Sequence, residues 1–231
     1  TNATDSSWDE LEVAGTAFLG QNRYIWAVGG SKIAVSKDQG ATWTSVTPPS
    51  GWSTSLANVG ASKNDPDGAI IASSYNGGSV YRTDDGGATW TNITSNLPAG
   101  MKSQLTYNMH ATVGNNNGSD VYYVGMISVC ASKDNGATWV DIARTYESNA
   151  KWHNDQHNMT VHPTLSNVGI VCADGGLAKV EYDPVTQTGT FTMLNTTIND
   201  TQAYGMSVHP TDHTRIILGT QDNASPASRG N

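Results

Sequence analysis

An all-β fold of repeated four-stranded antiparallel sheets follows from three observations. The stretch SKDQGATW at 36–43 returns as TDDGGATW at 83–90 and as SKDNGATW at 132–139, so that Trp43, Trp90 and Trp139 stand 47 and 49 residues apart. A second register agrees: NMTVHPTLSNVGIVCADGG at 158–176 aligns with GMSVHPTDHTRIILGTQDN at 205–223, and Val161 and Val208 are again 47 residues apart. Within one period the apolar segments are short, β-branched or aromatic, and separated by Gly, Asn and Asp turns, with no helical periodicity. Four short strands in each period near 48 residues describe the blades of a β-propeller.

The elements follow in chain order. SSWDELEV at 6–13 has the look of an outermost strand, like TWTSV and TWTNI, with its own earlier strands absent. In the second copy SLANVGAS, AIIASSY, SVYRTDD and TWTNITS supply four strands; in the third, LTYNMHATV, DVYYVGM, SVCASKD and TWVDIAR do the same. The fourth copy, KVEYDPVTQTGTFTML, keeps Asp183 in place but carries Phe191 where a Trp is expected. QAYGMSVHP and RIILGTQDN give the first two strands of a fifth blade, whose third strand is expected to be missing. The expectation is a single domain over residues 1–231, with about four full blades and a partial fifth. Either the N-terminal strand completes the last blade of a closed five-bladed ring, or the chain is part of a larger ring; the second is favoured.

Composition narrows the function classes. Twenty acidic residues against twelve basic ones give a net charge of −8, and no Lys/Arg cluster is present to track phosphates, so nucleic acid is a poor partner. No apolar run approaches the ~18 residues of a membrane helix, so no membrane insertion is expected. Seven Asn-x-Ser/Thr sequons and a Ser-, Thr- and Asn-rich composition point to an extracellular or cell-surface glycoprotein. Asn92, Asn195 and Asn199 are the glycan acceptors expected on the perimeter, whereas Asn158, at the start of an inner strand, is expected to be a poor one. Cys130 and Cys172 are too few for a disulfide scaffold, and a single bridge or two buried thiols are equally consistent.

The repeated S/T-x-D-x-G-x-T-W box resembles the Asp-box (BNR) repeat of sialidase-like, sortilin-like and xyloglucanase-like β-propellers. The run WHNDQHNMTVHP, then CADGG, then GTQDN is similar to secreted bacterial BNR-type propeller proteins. That resemblance implies a structural role for Asp38, Asp85, Asp134 and Asp183, which fasten turns, and for Trp43, Trp90 and Trp139, which pack blades. The physical reading agrees, because one carboxylate per turn is too few ligands for Ca²⁺.

Functional candidates therefore lie outside the boxes. If WHNDQHNM is extended, His153, Asp155 and His157 share one face and could converge on a ligand or a Zn²⁺-like metal; no other cofactor is expected. Gln221 and Asp222 end a second strand in the next blade and are expected at the same mouth. Asp155 and Asp222 are the only carboxylate pair that suggests catalysis, and no arginine cluster of a sialidase is present. The leading expectation is a non-catalytic propeller serving surface assembly, adhesion or glycan binding, with self-association through open blade faces. The alternatives are a glycoside hydrolase, with Trp52 and Trp152 stacking on sugars, and a sortilin-like peptide-binding module.

Overall fold

The computed structural model describes residues 8–14, 23–52, 57–73, 78–101, 108–165, 167–195, 203–212, 214–220 and 227–229. Five antiparallel sheets follow one another, each with its strands in chain order. Blade 1 is β1 (Glu10–Val13), β2 (Ile25–Gly29), β3 (Lys32–Ser36) and β4 (Thr44–Val46). Blade 2 is β5 (Ala57–Ala61), β6 (Ala69–Ser73), β7 (Ser79–Thr83) and β8 (Thr91–Asn92), and blade 3 is β9 (His110–Asn116), β10 (Ser119–Gly125), β11 (Val129–Ser132) and β12 (Val140–Asp141). Blade 4 is β13 (Gln156–Val161), β14 (Val168–Ala173), β15 (Gly176–Asp183) and β16 (Thr188–Met193); blade 5 holds β17 (Ala203–Val208), β18 (Arg215–Thr220) and β19 (Ala227–Arg229).

Two expectations are corrected. The N-terminal strand is the innermost strand of blade 1, paired Glu10↔Val28 through Val13↔Ile25, because Thr44–Val46 already occupies the outer edge of that sheet. Blade 5 does have a third strand, with Ile217 opposite Ala227 and Arg215 opposite Arg229.

The first strands β1, β5, β9 and β13 lie side by side as an inner wall. They run in one direction, since Glu10 meets Val59 and Glu12 meets Lys63, while Asn108 meets Asp155 and Gly114 lies near Val161. Consequently, in blades 1 to 4, the ends of the first and third strands, with the described turns that follow them, lie at one end, called lower here. The ends of the second and fourth strands of these blades lie at the other, upper end.

Alternation puts each middle blade's residues into two seams. In β6, Ile71 faces blade 1 with Trp26, Val28 and Val59, whereas Ile70 faces blade 3 with Val80, Met109 and Val113. In β10, Tyr122 and Val124 close the seam to blade 2, while Val121 and Tyr123 close the one to blade 4 with Met159, Val171 and Tyr182. Aromatic edges lock the packing: Trp26 meets Trp90 at 6.3 Å and Tyr123 meets Tyr182 at 6.0 Å. Each fully buried Val, Leu, Ile or Met contributes about 1.5–3 kcal/mol.

His110 sits in the same wall with neither ring nitrogen partnered among the described residues, its ring lying over Gly125. Burial depresses it to about 3, so it stays neutral. Blade 5 is different, with Met206 66% and Ile217 52% exposed.

The cysteines form no bridge. Cys130 is buried in the seam of blades 2 and 3, whereas Cys172 is partly buried on blade 4, its thiol donating to the Asn158 carbonyl at 3.5 Å. Burial pushes both thiols up, so neither is an activated nucleophile. No helix in the described structure is long and apolar enough to cross a membrane.

Candidate functional site

At the lower end, the three boxes adopt one hydrogen-bond pattern. Ser36 Oγ donates to Asp38 Oδ1 at 2.9 Å, Thr42 N donates to the same oxygen at 2.7 Å, and Thr42 Oγ1 donates to Oδ2 at 2.5 Å. Asp85 takes the same bonds from Thr83 and Thr89, and Asp134 from Ser132 and Thr138. Asp183 accepts from Val185 N and from Thr186 N and Oγ1 in the enlarged fourth turn. The threonine donors hold Asp85 at about 2 and draw Asp38 down as well. Burial pushes Asp134 up, but the Thr138 donors outweigh it.

The box turns of blades 2 and 3 also reach the preceding blade. Trp90 Nε1 donates to Thr47 O at 3.0 Å, Trp139 is buried against the blade 2 core, and Trp43 is half-buried. Gly87 has φ +85°, and a Cβ there would come 2.3 Å from Val46 Cγ1, so only glycine permits the turn to close on its neighbour.

At the upper end, the WHNDQHNM segment is not extended. β13 begins only at Gln156, Asp155 has φ +61°, and the register shifts between Gln156 and Asn158. His153, Asp155 and His157 therefore do not alternate onto one face, which corrects the sequence reading. Asp155 is 5% exposed, and its carboxylate accepts from Asn108 Nδ2 at 2.8 Å and Asn154 Nδ2 at 2.6 Å. His157 Nε2 bonds Asp174 Oδ1 at 2.6 Å, and His153 Nδ1 donates to Asn154 O while its ring lies against Gly175. Backbone bonds from Asp155 N to Ile127 O and from Gln156 N to Met126 O tie the segment to blade 3. Among the described residues no three His, Cys, Asp or Glu side chains group to hold a metal. Gln221, Asp222 and Asn199 lie outside the described residues.

The lower mouth of the inner wall opens into a cleft of about 570 Å³ between β1, β9 and β13. Its neutral hydrogen-bonding side chains are Thr112, Asn115, Asn158 and Thr160. Its charged ones are Glu10 and Glu12 of β1 with Arg23 and Lys63: Glu10 Oε2 accepts from Val59 N at 2.7 Å, and Glu12 pairs with Lys63 at 2.6 Å. Lys63 Nζ also donates to Val13 O at 3.1 Å, so this ion pair closes the seam of blades 1 and 2. Burial pushes Glu10 up to about 7, against the lowering bond from Val59. His162 Nδ1 accepts from Thr164 N and Leu165 N, and His209 repeats the arrangement, so both imidazoles cap turns.

Sequence reasoning missed Glu10 and Glu12 because it placed their strand on the outer edge. The signal was present in the alternation Glu10-Leu11-Glu12-Val13, which one inner strand splits between a seam and an open face.

The sequence profile of the DUF6242 beta propeller domain matches residues 1–194. The chain belongs to the DUF6242 β-propeller family. A search of the curated proteins finds no match. Among solved structures, the GH74 enzyme of Niastella koreensis superposes with a TM-score of 0.57 at 18% identity, covering 92% of this chain and 33% of that one. An auxiliary nutrient binding protein from Bacteroides thetaiotaomicron gives 0.50 at 13% identity, covering 96% and 54%. At these identities the likeness is one of fold. The chain spans about a third of the length of the GH74 enzyme and about half that of the nutrient binding protein.

In the DUF6242 domain the remaining sequence candidates are redistributed. Trp52 and Trp152 are buried, the latter stacked on Phe191 at 6.2 Å, so neither offers a face to a sugar. Asn92 is exposed on β8 and its Oδ1 accepts from Thr94 N. Asn195 is committed: its Nδ2 donates to Gly175 O at 2.6 Å and its Oδ1 accepts from Leu177 N at 2.8 Å, which a glycan linkage would disrupt. Asn158, expected at the start of an inner strand, does lie in the inner strand β13 and is exposed there, lining the cleft. Its side chain falls on the face of β13 opposite Met159, which packs into the seam with blade 3.

Proposed function

We propose that this DUF6242 propeller is a non-catalytic binding module of the cell exterior that holds a glycan in the lower cleft. The observation that carries this reading is the cleft itself, whose Thr112, Asn115, Asn158 and Thr160 present hydroxyls and amides suited to sugar hydroxyls. Its ion pair is internally compensated and does not demand a charged ligand. The carboxylate favoured for hydrolysis, Asp155, is buried and engaged by two amides, which supports binding over catalysis. A nutrient binding protein among the structures of similar fold is consistent with such use.

The test is calorimetric titration with a panel of neutral oligosaccharides, comparing the native chain with Asn158→Ala and Thr160→Ala. Binding weakened at least about tenfold by each substitution is expected, since each removes about 1.4 kcal/mol of hydrogen bonding. Binding unaffected by both, or turnover of any member, overturns the reading.

A second reading, self-association through open blade faces, is favoured by the exposure of Leu11, Met206 and Ile217. Sedimentation equilibrium distinguishes it: a concentration-dependent mass that Met206→Ser and Ile217→Ser abolish supports it, and a constant monomer mass rejects it.

A further inference from the structure

We infer that Glu10 couples ligand binding in the lower cleft to uptake of a proton: an uncharged oligosaccharide filling the cleft receives a hydrogen bond from the protonated carboxyl of Glu10. This rests on the glycan reading above and adds the residue that makes it depend on pH. Glu10 lines the cleft, and its Oε2 is held by Val59 N at 2.7 Å. Its second oxygen, Oε1, has no hydrogen-bond partner among the described residues. The carboxyl is thus anchored at one atom and available at the other.

The charges around Glu10 favour an uncharged ligand. On its own strand, Glu12 is neutralised by Lys63, two residues beyond β5, and Lys63 N in turn donates to Asp120 Oδ1 of blade 3 at 3.3 Å. The exposed Arg23, just before β2, and His162, just after β13, complete the charged and titratable lining. A cationic ligand would meet Lys63 and Arg23, and an anionic one would meet Glu12. A neutral, hydroxyl-rich ligand opposes none of them and finds hydroxyls and amides on the walls.

Burial already holds Glu10 near pH 7, and a ligand that excludes the remaining water disfavours its anion further. Binding then takes up at most one proton, so affinity changes by no more than about tenfold per pH unit. A protonated carboxyl donates to a sugar oxygen, whereas the carboxylate only accepts and loses that bond.

The experiment is calorimetry with cellotetraose, mannotetraose and xyloglucan oligosaccharides at pH 5.5, 7.0 and 8.5 on the native chain, Glu10→Gln and Glu10→Ala. The proton count comes from buffers of different ionisation enthalpy. For the native chain, affinity should fall several-fold to about tenfold per pH unit above 7, with proton uptake on binding. Glu10→Gln, whose amide donates at every pH, should bind without pH dependence, and Glu10→Ala should bind weakly throughout.

Native affinity that is flat with pH, or a Glu10→Gln variant that keeps the native slope, overturns the inference while leaving glycan binding intact. No binding of any oligosaccharide at any pH overturns both. Thermal melts establish that the variants are folded. Should Glu10→Gln not fold, carbon-13 NMR titration of the native Glu10 carboxyl with and without ligand decides: its midpoint must rise on binding.

Discussion

The two ends of the inner strands are built on opposite plans. At the lower end one hydrogen-bonded turn is repeated blade after blade, with Asp38, Asp85 and Asp134 each satisfied by the same Ser/Thr and Thr donors. At the upper end, among the described residues, the bonds around Asp155 and Gln156 occur once and stitch blade 3 to blade 4, while His157 pairs with Asp174 inside blade 4. Repetition marks what every blade requires. A conspicuous unrepeated cluster, in turn, can serve a single seam, while the open cleft is lined by inner-strand residues that lie outside the boxes.

The sharpest break in that comparison is steric. Gly87→Ala places a Cβ against Val46 at φ +85° and should cost about 3 kcal/mol. Gly100→Ala, at the same φ but with nothing within 4 Å, should cost about 1 kcal/mol. Urea denaturation of both variants measures the difference, and equal losses would mean that the lower turn does not close on blade 1.

Next in size is the pH dependence set by Glu10. Its folded value near 7 lies above the ordinary 4.5, so its contribution is fully present below pH 4.5 and is lost as pH rises to 7. Glu10→Gln should therefore match the native chain at pH 4 and exceed it by about 2–3 kcal/mol at pH 8. His110 acts in the opposite sense: depressed to about 3, it contributes stability above pH 6.5 that is lost as pH falls. Between pH 4.5 and 6.5 the two slopes cancel, so Glu10→Gln should convert a native plateau into a rise, read by denaturant melts across that window.

Smaller still, Asp155→Ala removes the acceptor of two amides in a buried seam and should cost about 2 kcal/mol. Asp134→Ala, in an exposed turn where water replaces the lost partner, should cost about 1 kcal/mol. A larger loss for Asp134 than for Asp155 would invert the assignment of seam and turn.

Much of this architecture was legible in the sequence because it is periodic. The 47-residue spacing of Trp43 and Trp90 placed blade 2; the predicted strands around Ile70, Tyr81 and Tyr122 coincide with β6, β7 and β10, and the one around Val113 overlaps β9 over 110–113. What escaped depends on breaks in alternation. The left-handed backbone of Asp155 and the shift after Gln156 cannot be inferred from a run of polar residues, so a flat three-residue face was expected where a folded-back knot exists. β1 escaped because a four-residue strand with one apolar face resembles inner and outer strands equally; its long-range partners Val59 and Lys63 decide. Asn158 likewise changed role once the face of β13 it occupies was known.

The most direct test of the central claim is chemical-shift mapping of an oligosaccharide titration on a chain with labelled methyl groups and histidines. Glycan held in the lower cleft predicts shifts at Thr112, Met159 and Thr160, with the His153 and His157 rings unchanged. Shifts at those two histidines with a silent lower cleft would contradict the account and move the binding site to the upper mouth.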